Sequence, residues 1–192
     1  MSLPTELRTG RLRMRRWTDA DREPFAAMNA DPAVMEHFPA ALTREESDGF
    51  VDRIERGFEE HGFGLWALEL SADQAFVGFT GLAVPRFHAP WMDGREQPVV
   101  EVGWRLARWG WGRGLATEAA REACRFAVEE VGRQEVVSFT VLDNLRSQAV
   151  MLRLGMHRLT AYDHPLGGGD ALPSVAFVLP QRDWRAGSRP DP

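Results

Sequence analysis

Cysteine and long apolar runs are nearly absent from this chain of 192 residues. Cys124 is the single cysteine, which excludes an intrachain disulfide and a metal site built from several cysteines. No apolar stretch stands at the amino terminus, and no run approaches the roughly 20 residues of a membrane span. These absences predict a protein that binds no metal, has no membrane anchor and resides in the cytoplasm.

An excess of positive charge is lacking too. The chain has 23 basic and 28 acidic side chains, which gives a formal net charge of −5. A general nucleic-acid binder needs a basic face, so nucleic acid is not an expected partner. The length favours one domain over residues 1–192, with a core of its own. Polar residues with Gly and Pro over 185–192 predict a frayed tail.

What the chain does contain is a glycine-rich loop behind an apolar strand. Gly110, Gly112 and Gly114 follow a strand-like segment that ends at Leu106, and a helix-forming run then continues past Phe126. Glycines permit backbone turns that other residues rarely adopt, and a helix start leaves N–H groups unpaired at the positive end of its dipole. The pattern therefore predicts a phosphate or pyrophosphate site. The Lys-Ser/Thr ending of a nucleoside triphosphate loop and the spacing of a dinucleotide loop are both missing, which disfavours those ligands.

The spacing within this loop carries a family resemblance. The segment WGRGLA, residues 111–116, resembles the acetyl-coenzyme A loop of the GNAT acetyltransferases, written Q/R-x-x-G-x-G/A. Gly114 and Ala116 occupy its last two fixed positions. Trp111 stands in place of the Gln or Arg, which is similar to the ribosomal-protein N-terminal acetyltransferase-like branch of that family.

Two other segments strengthen the resemblance. Residues 142–159 resemble the second signature of the family, with Asn144 after a strand, Ser147 three residues later and a Leu-Gly-Met ending. The amino-terminal segment, which includes Asp31-Pro32, resembles the start of the same branch. Together the three segments extend the resemblance over roughly residues 7 to 182, and they stand in the order of the family.

The pattern of strands and helices predicts an α/β fold of the mixed α+β kind. Strand and helix patterns follow one another in the order β-α-α-β-β-β-α-β-α-β-β, which indicates a mixed sheet with helices on both faces. The resemblance implies the GNAT fold, a mostly antiparallel sheet of about seven strands whose fourth and fifth strands splay apart. We expect a first strand over 7–16 and a short helix over 31–38. Thr43, with Glu46 three residues later, has the capping-box pattern and predicts a helix to about His61. Two long connections, 85–98 and 164–173, are either surface insertions or walls of an acceptor pocket.

The resemblance also implies a co-substrate, acetyl-coenzyme A. Gly103 interrupts the fourth strand and indicates a bulge or a close backbone approach, where backbone groups would pair with the pantetheine arm. The predicted binding residues lie on this strand, in the glycine loop and at two helix starts: Trp104, Arg105, Leu106, Trp111, Gly112, Arg113, Gly114, Leu115, Ala116, Thr117, Asn144 and Ser147. For Asn144 and Ser147 the alternative role is helix capping.

Glu101 is the candidate general base. It stands two residues before Gly103, so the two share a face of a regular strand. A carboxylate there could accept the amine proton if burial raises its pKa toward neutrality, and the family often uses a glutamate on this strand in that role. The alternatives are a purely structural Glu101 and three rival histidines, His37, His88 and His164.

Ser147 is the candidate general acid, because its hydroxyl could reach the sulfur of the leaving thiolate. Many members of the family carry a tyrosine seven residues after the signature Asn, but Met151 occupies that position here. The single tyrosine of the chain, Tyr162, lies outside the motif. We therefore assign the acid role to Ser147 or to water.

These residues predict an N-acetyltransferase that acts on a primary amine with acetyl-coenzyme A. The acceptor is either a protein amino terminus or a small molecule, and the sequence does not separate the two. The alternative is a coenzyme A-binding regulatory protein of the same fold without turnover. Either a monomer or a homodimer fits the family.

Overall fold

The computed structural model describes residues 4–95, 98–167 and 170–187. The chain opens with a hairpin of β1 (Leu7–Arg8) and β2 (Leu12–Arg15). The prediction of one strand over 7–16 is therefore wrong in one respect, because the chain turns between the two strands, where the Thr9 N–H donates to the Leu12 carbonyl at 2.9 Å. The predicted count of about seven strands becomes eight for this reason.

Two helices follow, α1 (Asp19–Ala30) and α2 (Arg44–His61). The capping box predicted at the start of α2 is confirmed, because Thr43 Oγ1 accepts from the Glu46 N–H at 3.2 Å while the Glu46 carboxylate accepts from the Thr43 N–H at 2.8 Å. The short helix predicted over 31–38 is wrong. The segment forms turns, in the first of which the Asp31 carboxylate accepts from the Ala33 N–H at 2.9 Å.

The remaining strands and helices follow the predicted order. They are β3 (Leu65–Leu70), β4 (Phe76–Ala83), β5 (Glu101–Leu106), α3 (Leu115–Glu129), β6 (Glu135–Val141), α4 (Leu145–Arg153), β7 (His157–Gly167), β8 (Asp170–Pro180) and α5 (Gln181–Gly187), with short 3-10 turns at Pro90–Met92 and Arg108–Gly110.

All eight strands belong to one sheet, in the order β1-β2-β3-β4-β5-β6-β8-β7. The ladders β1–β2, β2–β3, β3–β4, β6–β8 and β7–β8 are antiparallel, whereas β5 pairs with β6 in parallel. That parallel ladder consists of the single pair Glu101↔Val137, which fits the predicted splay of the fourth and fifth strands, here β5 and β6. The open mixed sheet flanked by helices confirms the predicted fold class.

Two predicted irregular segments are ordered differently. Residues 164–167 and 170–173 of the predicted loop belong to β7 and β8, with His164 opposite Leu172 and Pro165 opposite Ala171. Pro165 lies in β7, an edge strand of the sheet, which is where a sheet tolerates proline. Residues 185–187 of the predicted frayed tail end α5, the remainder lies outside the described residues, and the fraying stays a prediction.

The chain divides into two compact units, the first of residues 1–83 with 103–123 and the second of residues 84–102 with 124–192. Each unit has its own apolar core. The first buries Leu12, Met14, Phe25, Trp66 and Leu68, and the second buries Phe126, Val136, Met151, Met156 and Leu179. Among the described helices none is long and apolar enough to span a membrane. A single domain over 1–192 stays a prediction.

Candidate active site

The glycine loop in the first unit exposes its backbone directly before α3. Gly112 and Gly114 both have positive φ, +71° and +76°, a conformation that suits glycine. A side chain added at Gly112 would meet no atom within 4 Å, and one at Gly114 would meet Arg11 Nη2 at 3.6 Å. The N–H groups at the start of α3 have no acceptor within the helix. The loop therefore fits the phosphate group that the sequence predicts.

Arg11 and Glu118 hold this loop in place. Arg11 Nη1 donates to the Arg113 carbonyl at 2.8 Å, and Arg11 Nε donates to the Glu118 carboxylate at 2.6 Å. Burial acts to raise the pKa of Glu118, but hydrogen bonds from Thr9 and Arg11 hold that pKa below its usual value. An ionised Glu118 in the first turn of α3 thus anchors the loop to the β1–β2 turn. The side chain of Arg113, a predicted cofactor residue, remains exposed.

The end of β5 leads into the loop with little room for side chains. Gly78 on β4 has φ +138°, and a Cβ there would lie 2.2 Å from the Arg105 carbonyl oxygen. The Trp111 indole N–H donates to the Leu106 carbonyl at 2.8 Å. The Leu106 carbonyl is therefore already hydrogen-bonded within the chain. Trp104, another predicted cofactor residue, is partly buried. Leu115, Ala116 and Thr117 form the first turn of α3.

Glu101 begins β5, and burial raises the pKa of its carboxyl to about 8. No described residue forms a hydrogen bond or an ion pair with this carboxyl. The backbone around it is fixed by the pair with β6, where the Val137 N–H donates to the Val100 carbonyl at 2.9 Å. A buried carboxyl without a partner and with a pKa near neutrality has the properties of a general base.

An aromatic cluster accompanies Glu101 in the second unit. It consists of Phe87, Trp91, Phe139, Tyr162 and His164. Ring centroids lie 4.3 Å apart for Phe87 and His164, 5.1 Å for Phe87 and Phe139 and 5.5 Å for Trp91 and Tyr162. The Tyr162 hydroxyl lies 3.2 Å from His164 Nδ1. The cluster surrounds these polar atoms with apolar rings, which keeps charged forms unfavourable there.

The titration of the cluster agrees with this environment. Burial, and secondly the negative charge of Glu101, raise the pKa of Tyr162 above its usual value. Burial lowers the pKa of His164. Tyr162 and His164 are therefore neutral at pH 7. The effect of Glu101 on Tyr162 places the two side chains within electrostatic range of each other.

Asn144 and Ser147 lie together at the start of α4. Asn144 is the N-cap, its Oδ1 accepting from the Ser147 N–H at 3.1 Å while its Nδ2 donates to Thr140 Oγ1 at 3.0 Å. Both ends of the Asn144 amide are thus engaged in the capping role. The Ser147 hydroxyl makes no hydrogen bond to any described residue, and Ser147 is partly exposed. Their contacts with the cofactor stay predictions.

Of the three histidines considered as alternative general bases, His164 belongs to the aromatic cluster. His88 is exposed and pairs with Asp93 at 2.8 Å, as expected of a surface side chain. His37 lies in the turns between α1 and α2. Met151, at the position of the family's tyrosine, is fully buried in the core.

The aromatic cluster was not predicted as a unit from the sequence. Trp91 was considered only as part of a long connection, and Tyr162 only as a residue outside the second signature. One signal was present, because Tyr162 and His164 are two residues apart and share a face of β7. Phe87 and Phe139 come from other segments, so no local pattern connects them to that face.

Comparison with known proteins identifies the family. The family model described as an acetyltransferase (GNAT) domain matches residues 11–157. A curated relative from Aspergillus fumigatus, named FsC-acetyl coenzyme A-N(2)-transacetylase, is 30% identical and covers 96% of this chain and 80% of the relative. The Bacillus subtilis protein YkkB, itself uncharacterised, is 28% identical and covers 82% of this chain and 88% of the relative.

Solved structures agree on the fold. A GNAT-family acetyltransferase from Bacillus anthracis superposes with a TM-score of 0.76 at 18% identity, covering 92% of this chain and 99% of that one. A Vibrio cholerae chain, provisionally assigned as a ribosomal-protein-serine acetyltransferase, has a TM-score of 0.74 at 18% identity, with 94% and 99% covered. Since the family model spans most of the sequence and the fold agrees, this chain belongs to the GNAT acetyltransferase family and is an acyltransferase enzyme.

Proposed function

We propose that this enzyme transfers an acetyl group from acetyl-coenzyme A to the nitrogen of a primary amine. The observation that carries the proposal is Glu101, a carboxyl without a hydrogen-bond or ion-pair partner among the described residues, whose pKa burial raises to about 8. A base of this strength suits an acceptor that must lose a proton during the reaction. The name of the Aspergillus relative, which contains both acetyl coenzyme A and an N-linked transfer, supports the same chemistry.

The glycine loop is the proposed binding site for the pyrophosphate of the co-substrate. Acetyl-coenzyme A supplies the acetyl group as an activated thioester. Gly112 and Gly114 leave space for the pyrophosphate, and the N–H groups of Leu115, Ala116 and Thr117 bind it at the positive end of α3. The remaining predicted contacts, from Trp104 to Leu106 and at Trp111 and Arg113, belong to this proposal.

The proton leaves the amine through Glu101. With a pKa of about 8, roughly a tenth of the Glu101 carboxyls are ionised at pH 7, and the fraction rises with pH. The ionised carboxylate accepts the amine proton directly or through one water molecule. Ser147 Oγ has no hydrogen-bond partner among the described residues. It is the proposed proton donor to the sulfur of the leaving thiolate.

Release of free thiol from acetyl-coenzyme A, measured over a panel of amines and peptides, tests this proposal. The chain has no lysine, so its own side chains offer no primary amine that would create a background. We expect turnover with a subset of primary amines. If coenzyme A binds but no amine releases thiol, the protein is instead the non-catalytic coenzyme A-binding alternative. Peptides among the positive acceptors would support a protein amino terminus as substrate.

A matched pair of glycine variants tests the cofactor site separately. Gly114 and Gly132 both have φ +76°, and neither has backbone atoms crowding the position of a Cβ. Gly114→Asp and Gly132→Asp therefore impose the same backbone strain. Coenzyme A at a hundred times its Kd should stabilise wild type and Gly132→Asp by about 2.7 kcal/mol, measured as a thermal shift. Gly114→Asp should lose most of that shift, and equal shifts in both variants would place the pyrophosphate elsewhere.

A further inference from the structure

Arg105 on β5 is a partly buried cation that no carboxylate of the described residues neutralises. Its Nη1 donates to Asn29 Oδ1 at 2.7 Å, while its Nε is buried without any hydrogen-bond partner. Within the ranges that the structure describes, it forms no ion pair with an acidic side chain. Burial lowers the pKa of Arg105 to about 10. The charged form is thus held in a place that disfavours it.

Three phenyl rings surround this guanidinium. Its central carbon lies 4.0 Å from the centroid of Phe38, 5.6 Å from Phe79 and 5.7 Å from Phe50. Aromatic faces attract a cation, but they accept no hydrogen bonds from the donors in the plane of the guanidinium. The edge that carries Nε therefore still lacks an acceptor.

The stability of the fold does not explain why a guanidinium without an acceptor stands at this position. An unpaired buried charge destabilises a protein, and an apolar side chain among three phenyl rings would be at least as stable. Asn29 cannot replace an anion, because its amide is neutral. Residues that break a local rule of stability mark ligand sites. The planar fork of a guanidinium matches a carboxylate in both shape and charge.

We infer that Arg105 binds a carboxylate of the acceptor, so that the preferred substrates are amines that also carry a carboxylate group. This inference rests on the proposed function, because it assigns a specificity to the same reaction. Phe38, 42% exposed on the turns between α1 and α2, covers the guanidinium at present. It is the side chain that an incoming carboxylate moves aside to reach Nε.

Acceptors paired as free acid and carboxamide test this inference. We expect wild type to favour amino acids over their amides by about 10- to 100-fold in kcat/KM, as a hydrogen-bonded charge pair does. Arg105→Gln keeps a donor for Asn29 but loses the charge, and the acid-to-amide ratio should fall toward one. Arg108→Gln is the control, since Arg108 is a nearby arginine that is 63% exposed, and its ratio should stay as in wild type.

A second variant keeps the test decisive if Arg105→Gln does not fold. Asn29→Asp places a carboxylate of the chain itself on the guanidinium, where the distance is now 2.7 Å. The melting temperature should rise, and the acid-to-amide ratio should fall because the internal carboxylate competes with the substrate. A rise in melting temperature with an unchanged ratio would overturn the inference and leave Arg105 structural.

Two other results would also overturn it. If Arg105→Gln weakens equilibrium binding of coenzyme A and leaves the acid-to-amide ratio unchanged, the anion is a phosphate of the co-substrate. If wild type acetylates amides as well as acids, no carboxylate is recognised, although the proposed function stands. Thermal shifts with N-acetyl amino acids and with their amides measure binding at the proposed carboxylate site without turnover. They separate failure of this inference from failure of the acetyl transfer itself.

Discussion

Two arginines of the first unit, Arg15 on β2 and Arg105 on β5, illustrate two uses of a buried charge. Arg15 donates to Asp21 Oδ2 at 2.7 Å and to Glu69 Oε2 at 2.8 Å. The hydrogen bond with Asp21 raises the pKa of Arg15 above its usual value, although burial opposes that shift. Arg105 has neither carboxylate, and burial lowers its pKa. Carboxylates of the chain thus neutralise the charge of Arg15, whereas no described carboxylate neutralises that of Arg105.

The acidic side chains show the same difference. Glu69 is buried and pairs with Arg15 and Arg13, whereas burial raises the pKa of Glu101 and no described side chain pairs with it. A charge that the chain satisfies stabilises the fold, and a charge that it leaves unsatisfied is available to a ligand. The difference therefore separates structural from functional charges without any knowledge of relatives.

The largest expected effect follows from removing the carboxyl group of Glu101, which no described side chain pairs with. Glu101→Gln keeps the shape of the side chain and loses the base, so kcat should fall by about a hundredfold to ten-thousandfold. Steady-state thiol release measures this change. The control is Glu135→Gln, since Glu135 is a strand glutamate of the second unit that pairs with Arg95. Similar losses in both variants would refute the distinction between paired and unpaired acids.

The next effect concerns the ion pair of Asp21 with Arg15, and it should appear in the free energy of unfolding. Asp21→Asn leaves Arg15 buried with one carboxylate fewer, and the free energy of unfolding should fall by about 3 kcal/mol or more. Glu23→Gln is the control, because Glu23 is 82% exposed in its pair with Arg44 and its loss should cost at most about 1 kcal/mol. Urea denaturation measures both values. A small loss for Asp21→Asn would show that this buried network contributes little.

A third effect is a dependence of stability on pH. The folded-state pKa of Glu101, about 8, lies above the unfolded value of 4.5, so the folded state binds more protons between these two values. The stability contribution of Glu101 is therefore full below about pH 4.5 and declines as pH rises to about 8, by at most about 1.4 kcal/mol per pH unit. Unfolding free energies of wild type and Glu101→Gln, measured from pH 5 to 8, should diverge as pH rises. Parallel curves would mean that Glu101 titrates normally.

Local chemistry was predictable from the sequence, and long-range arrangement was not. The capping box of Thr43 and Glu46 and the positive-φ glycine turn depend on neighbours within a few residues, so their patterns were sufficient. The isolation of Arg105 depends on its contacts with Asn29 and Phe38 and on the absence of a carboxylate partner among the described residues. Such an absence is a property of the packed molecule, because the sequence does not specify which acidic residues fold onto which arginines.

The hairpin of β7 and β8 shows the same limit. The segment 164–173 was predicted to be a connection, but most of it belongs to two paired strands, and an edge strand tolerates Pro165. The helix over 31–38 was predicted from Asp31-Pro32, yet the bond of the Asp31 carboxylate with the Ala33 N–H suits a turn as well as a helix start. Both errors fall where one local signal has two structural outcomes.

The edge strand β7 also bears on how this protein avoids aggregation. An exposed edge offers unpaired backbone donors and acceptors to any other strand, including that of a second copy still folding. The backbone of β7 is irregular, with register shifts at 158–160 and 165–167, and Pro165 has no N–H to donate. An incoming strand would find no regular ladder to extend. The register shifts and Pro165 thus protect the protein from sheet-to-sheet self-association.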